Sequence, residues 1–107
     1  MANVPNNRNW KAWEDRQPPA LLALHVTGEI ETSNSNQTPH LKEAVPQGIN
    51  PTILILNLTL TAGGAGNTAM GWKQARFEKG ISREHYASVD IHWDGESIAM
   101  SKVEVVH

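Results

Sequence analysis

Four polar residues near the end of the chain have the types that could carry chemistry. Tyr86, Ser88, Asp90 and His92 fall on one parity of a predicted strand, and Ser, Asp and His are the components of a nucleophilic triad. Neighbours on one face of a strand lie about 7 Å apart, however, which is too far for direct hydrogen bonds between them. The spacing therefore favours the solvated face of a sheet over a catalytic site.

Metal binding is a second chemistry that these residues could serve. His25 and Glu29 share the polar face of an earlier predicted strand. If that strand paired with the one carrying Asp90 and His92, imidazole and carboxylate ligands could converge on a metal ion. The five histidines show no H-x₃-H or HExxH spacing, so we expect no metal and no cofactor. A small hydrolase or metal-binding protein that uses His and Asp on a sheet face is the alternative function.

Tryptophan is over-represented among the aromatic residues. The 107-residue chain has four Trp but one Phe and one Tyr. Trp93 lies on an apolar strand face and is predicted to be in the core, whereas Trp10, Trp13 and Trp72 lie outside the clearest strands. They could close one end of the domain or, if exposed, anchor a partner or a sugar ring. The candidate ligand- or partner-binding residues are Trp10, Trp13, Trp72, His25, Asp90 and His92.

The middle of the chain contains a near match to a dinucleotide-binding motif. Residues 64–69 fit G-x-G-x-x-A after an apolar strand, and a helix near 68–79 would complete a βαβ unit. Against this, the helix would contain Gly71 and only a weak apolar stripe, and the flanking strands alternate as antiparallel strands do. An α/β fold with a short helix near 68–79 is therefore the alternative fold.

The elements that must position these residues are predicted strands. Polar and apolar residues alternate over 20–32, 40–45, 52–61, 72–78, 85–93 and 96–106. Asp94-Gly95 between the last two indicates a type I′ hairpin. The pattern predicts an all-β fold, a small antiparallel, immunoglobulin-like β-sandwich of five to seven strands. Residues 1–15, polar and rich in Asn, are predicted to be a loosely ordered segment, and 16–107 to be the single domain.

Charge and composition narrow the function classes. The net charge is -2, with nine basic and eleven acidic residues, and no basic cluster favours nucleic acid or a membrane surface. The chain lacks cysteine and any apolar segment of signal-peptide or membrane-spanning length, which predicts a cytoplasmic protein. We expect a binding or assembly module without catalytic activity, with a protein partner or a homodimer formed through an edge strand.

Two segments carry a resemblance to other proteins. Residues 24–29 (Leu-His-Val-Thr-Gly-Glu) and 46–51 (Pro-Gln-Gly-Ile-Asn-Pro), the latter followed by the Leu-rich strand, resemble small uncharacterised bacterial proteins of similar length. The resemblance implies a compact β-sandwich and assigns no function and no site residue.

Overall fold

A computed structural model describes residues 4–16, 22–81 and 85–106, and this part of the chain forms seven strands and no helix. Within these ranges there is therefore no helix long and apolar enough to cross a membrane. The all-β prediction is confirmed. The strands are β1 (Asn7–Asp15), β2 (Ala23–Asn34), β3 (Gln37–Glu43), β4 (Ile53–Ala62), β5 (Thr68–Gly80), β6 (Ser88–Trp93) and β7 (Glu96–Val106).

The seven strands form one curled sheet in the order β3-β4-β6-β7-β1-β2-β5. The pairs β4–β6 and β7–β1 are parallel and the other four are antiparallel. β7 joins the two halves, because Lys102 still pairs with β6 while Val103 already pairs with β1. The end strands β3 and β5 face each other, so the sheet is a nearly closed, barrel-like structure. The expected immunoglobulin-like sandwich is not confirmed.

The core lies inside the curl and is built by alternation. Leu54, Leu56 and Leu58 point inward from β4, and each is at most 2% exposed. Burying a side chain of this size stabilises the fold by about 1.5–3 kcal/mol. The fully or nearly fully buried apolar partners from neighbouring strands are Leu24, Val26, Ile30, Ala75, Val89 and Ile91.

Strand β1 departs from the prediction for the start of the chain. Residues 7–15 pair with β2 on one side, and 12–15 with β7 on the other, so they are not a loosely ordered segment; residues 1–3 of that segment lie outside the described residues. A bulge between Arg8 and Lys11, with Asn9 at φ 58°, interrupts the alternation. The bulge and the buried charge of Glu14 hide the strand pattern in the sequence.

Two other local predictions are settled by backbone geometry. Residues 68–80 form β5, paired along its length with β2, so the alternative α/β fold with a helix there is wrong. Asp94 and Gly95 form the two-residue turn between β6 and β7 with φ angles of 51° and 83°. Positive φ at both positions is the type I′ geometry that the sequence predicted.

The two end strands of the sheet, β3 and β5, meet along a line here called the seam. Side chains rather than a backbone ladder bridge it. The Lys73 ammonium donates to the backbone carbonyls of Ser35, at 2.7 Å, and Gln37. Six residues further along β5, Lys79 Nζ lies 2.8 Å from Glu43 Oε1. The two lysines therefore connect opposite ends of the two edge strands.

Candidate binding face on β1, β2 and β5

The outer surface of β1, β2 and β5, here called the β1–β2–β5 face, carries most of the sequence-predicted aromatic residues. Antiparallel pairing aligns its side chains in rows across the strands. One row places Trp13, His25 and Glu78 side by side, and the next contains Lys11, Thr27 and Arg76. The sheet register therefore assembles a mixed aromatic and hydrogen-bonding surface from residues far apart in the chain.

Trp13 and His25 are stacked at the centre of this assembly. Their ring centroids are 5.2 Å apart and the ring planes differ by 21°, which is an offset-stacked geometry of the kind that contributes about 0.5–1.5 kcal/mol. The pair borders a depression of about 180 Å³ that also has Thr27, Arg76 and Glu78 in its lining. Because the imidazole covers part of the indole, it fixes the direction in which the indole edge faces the depression.

Trp72 forms a second aromatic position on the same face. The Arg8 guanidinium lies 3.8 Å from the Trp72 ring centroid, within cation–π range. Arg8 Nε also donates to Glu29 Oε2 at 2.8 Å, and Asn9 Nδ2 donates to the other Glu29 oxygen at 3.3 Å. These bonds, that from Arg8 first, lower the pKa of the Glu29 carboxyl. Glu29 therefore stays charged and orients Arg8 over the indole.

The two aromatic positions lie at opposite ends of one strip of surface. Trp13 is in register with His25, and Trp72 with Glu31. Six residues along a strand correspond to roughly 20 Å. Between the two positions lie the hydrogen-bonding side chains of Thr27, Gln74 and Arg76, from neighbouring rows.

The β1–β2–β5 face has no excess of positive charge. Its basic residues are Arg8, Lys11 and Arg76, and Arg8 is already paired with Glu29. The opposing acidic residues are Glu29, Glu31 and Glu78, together with Asp15, which shares the outward parity of Trp13 on β1. A phosphate polymer binds where a concentrated positive surface releases counterions, so this surface suits an uncharged ligand better.

Trp10 is not part of the face, although the sequence grouped it with Trp13. The bulge in β1 turns its ring inward, where it packs against the core and over Gly28. Its indole Nε1 donates to Asn7 Oδ1 at 2.9 Å. Trp10 therefore fills a structural role inside the barrel.

Asp90 and His92 form a hydrogen-bonded pair on another surface, so the expectation that neighbours on one strand face are too far apart to bond directly is wrong for this pair. His92 Nε2 lies 2.9 Å from Asp90 Oδ2, and Ser97 Oγ donates to Asp90 Oδ1 at 2.5 Å. The carboxylate thus sits between the hydroxyl and the imidazole, whereas a nucleophilic triad needs the imidazole in the middle. This order leaves no hydroxyl activated by His92 within the trio.

The convergence of His25 and His92 that the metal-binding alternative requires does not occur. His25 lies on β2 and His92 on β6, and β7 and β1 separate these strands in the sheet. Within the described ranges no group of three or more His, Asp or Glu side chains is arranged to hold a metal ion. The described residues therefore do not form the arrangement of His and carboxylate ligands that the metal-binding alternative requires.

Sequence reasoning missed several contributors to the face. Arg8, Arg76 and Glu78 stand out only once the register of β1, β2 and β5 is known, because each is an ordinary solvated residue within its own strand. For Arg76 and Glu78 the usable signal was the outward parity that they share with Trp72 on β5, whereas the bulge in β1 breaks the parity between Arg8 and Trp13. Comparisons with protein-family models, curated proteins and solved structures give no match for this chain.

Proposed function

We propose that the protein is a non-catalytic binding module that holds its ligand on the β1–β2–β5 face. The observation that carries the proposal is the Trp13–His25 stack, which borders a depression flanked by Arg76 and Glu78. An indole held at a fixed angle beside hydrogen-bonding groups offers an apolar platform at a low cost in conformational entropy.

The ligand that fits this surface best is a neutral, hydroxyl-rich chain such as an oligosaccharide. A sugar ring has an apolar C–H face that packs on indole and a rim of hydroxyls that pair with carboxylate, guanidinium and hydroxyl groups. Trp13 and Trp72 would hold the two ends of a segment about 20 Å long. The lack of excess positive charge on this face disfavours a single-stranded nucleic acid, which needs a basic groove along its backbone.

Titration of the ¹⁵N-labelled protein tests the proposal through the indole N–H signals of Trp13 and Trp72. We would compare neutral hexasaccharides (cellohexaose and xylohexaose) with an acidic oligosaccharide and with oligo-dT. The neutral chains should shift both signals, and Trp13→Ala should weaken their binding about tenfold or more, as expected for a central aromatic anchor. Thr59→Ala, at an exposed position of β4 on the other half of the sheet, is the control.

Two results would reject the proposal. One is the absence of a shift at either indole with all of these ligands. The other is equal affinity of Trp13→Ala and the wild type for every ligand that does bind. Preference for oligo-dT over the neutral chains would instead reject the argument from the charge of the face.

Assembly is the second candidate function, and the loop between β3 and β4 favours it. Val45 and Ile49 are 93% and 105% exposed. Gln47 holds the loop in place, because its Nε2 donates to the carbonyls of Ala44 and Ile55 and its Oε1 accepts from Ile55 N. Two exposed aliphatic side chains on a braced loop suit the centre of a small protein interface.

A second copy of the chain is the partner we propose for this loop. The edges of β3 and β5 face each other across the seam, so the loop offers an easier contact than an edge strand. Sedimentation velocity should show a dimer that Val45→Ser with Ile49→Ser converts to monomer, while Thr38→Ser, on exposed β3 surface, leaves it unchanged. A strict monomer at high micromolar concentration would remove the homodimer.

A further inference from the structure

One end of the barrel contains a cavity that is separate from the Trp13–His25 depression. It lies where β2, β4 and β6 end and β3 and β5 begin, and its volume is about 510 Å³. This mouth cavity has an apolar part made by Leu60, Met70 and Trp93, and a polar part that includes Glu31 and Gln37. Its volume falls within the range of about 300–1,000 Å³ that is typical of small-molecule sites.

The sheet builds the apolar part from specific irregularities. Leu60 continues the inward parity of the β4 leucines, and Trp93 is the last residue of β6 before the type I′ turn. Met70 lies in a register shift of β5, between the pairs Thr32–Gly71 and Asn34–Thr68. It is 70% exposed although it lines the cavity, so its flexible side chain is available to a ligand.

Polar atoms at the cavity retain bonding capacity. Asn6 Nδ2 donates to Glu31 Oε1 at 2.9 Å, which holds the carboxylate and leaves Oε2 without a partner among the described residues. Gln37 Oε1 accepts from Ser33 N and Asn34 N at 2.9 and 3.1 Å. The Glu31 carboxylate thus offers its second oxygen to a donor from outside the protein.

The charged side chains at the mouth cavity indicate which class of ligand it binds. Glu31 is the one charged side chain among the described residues that line the cavity. Lys73 is the nearby cation on β5, but its ammonium is bonded to the carbonyls of Ser35 and Gln37 and does not line the cavity. An indole and a carboxylate that line the same cavity favour a cation by both cation–π and ionic attraction.

We infer that the mouth cavity binds a small organic cation, an ammonium group carried on an apolar body. The apolar body would pack against Leu60, Met70 and Trp93, and the ammonium would donate to the free oxygen of Glu31. This ligand class differs from the one proposed for the β1–β2–β5 face, although Glu31 borders both the face and the cavity.

Matched ligands of similar shape test the inference. Phenethylammonium, phenethyl alcohol and 3-phenylpropionate would be titrated into ¹⁵N-labelled protein and followed at the indole N–H of Trp93. The ammonium should shift this signal and bind at least about tenfold more tightly than the alcohol, a ratio that corresponds to about 1.4 kcal/mol. The carboxylate should bind weakest, because it faces Glu31.

Two variants separate charge from general binding. Glu31→Gln should remove the preference for the ammonium and retain the alcohol, whereas Glu104→Gln, at an exposed position of β7 outside the cavity lining, should behave as the wild type. Equal affinity for the three ligands, or an unchanged preference in Glu31→Gln, would overturn the assignment of the cation. No shift at Trp93 with millimolar amounts of any of the ligands would overturn the site itself.

Discussion

The ring of Trp10 lies so close to Gly28 that no side chain fits between them. A Cβ atom at position 28 would be 2.3 Å from Cε3 of Trp10 and 2.5 Å from Cζ3. The ring is packed against the core and its Nε1 donates to Asn7, so it cannot withdraw without losing both. The bulge in β1 and the glycine in β2 are therefore parts of one packing arrangement.

Gly28→Ala should consequently lower the free energy of unfolding by about 1–3 kcal/mol, the usual cost of overpacking a core. Gly71→Ala is a matched control in the next strand, because a Cβ there has no neighbour within 4 Å, and its effect should stay within about 0.5 kcal/mol. Urea denaturation measures both. Equal stability of the two variants would show that Trp10 does not rest on Gly28.

Replacement of Glu14 should be among the most damaging changes at the other end of the barrel. Its side chain is fully buried, Oε2 accepts from Arg16 Nε and Nη2 at 2.9 and 2.8 Å, and Oε1 accepts from Tyr86 N at 3.2 Å. Glu14→Ala removes this buried acceptor from all of these bonds, which should cost on the order of 3 kcal/mol.

Glu104→Ala is the control for Glu14→Ala, because it removes a glutamate that is exposed on β7. Thermal and urea unfolding should place this variant close to the wild type, within about 0.5 kcal/mol. If Glu14→Ala were equally mild, the buried carboxylate would not be holding β1 to the segment before β6.

Local patterns made much of the fold predictable, whereas the binding face depended on long-range pairing. The alternation of Leu54, Leu56 and Leu58 and the Asp94-Gly95 turn are signals within single segments, and both were interpreted correctly. Trp13 meets His25 only because β1 pairs antiparallel with β2 in one register. Nothing within either segment specifies that register.

The polar start of the chain was misinterpreted for a related physical reason. Its asparagines indicate a loosely ordered segment, but Asn7 accepts from the Trp10 indole and Asn9 takes the positive φ that the bulge requires. Asn tolerates that backbone region better than most residues. Polarity in β1 therefore serves local geometry rather than solvation of a tail, and composition alone does not distinguish the two.

The stabilisation of the seam between β3 and β5 should decrease at high pH, because Lys79 then loses its proton. Its bonds to Glu43, and secondarily to Tyr86, raise its pKa from 10.5 to about 12. Because the folded chain holds this proton more tightly than the unfolded chain, the stabilisation is complete below pH 10.5 and is lost as the pH rises through 12.

Lys79→Met isolates this contribution. The difference in the free energy of unfolding between wild type and Lys79→Met should be constant from pH 8 to about 10 and then shrink towards pH 12. Lys42→Met, at an exposed position of β3, should show no such convergence. A difference that stayed constant up to pH 12 would mean that the ammonium of Lys79 does not stabilise the fold through its charge.

Hydrogen exchange should resolve the two ends of the seam separately. Lys73 bonds to the carbonyls of Ser35 and Gln37, and Lys79 to the carboxylate of Glu43. The lysines are six residues apart on β5, roughly 20 Å. Lys73→Met should therefore speed exchange mainly at amides near the start of β3 and in the turn from β2, and Lys79→Met mainly near the end of β3.

The double variant tests whether the two ends of the seam act independently. Because the effects of substitutions at sites this far apart are usually additive, its free energy of unfolding should fall by the sum of the two single losses. A loss much larger than the sum, with faster exchange along all of β3, would show instead that the seam opens as one unit.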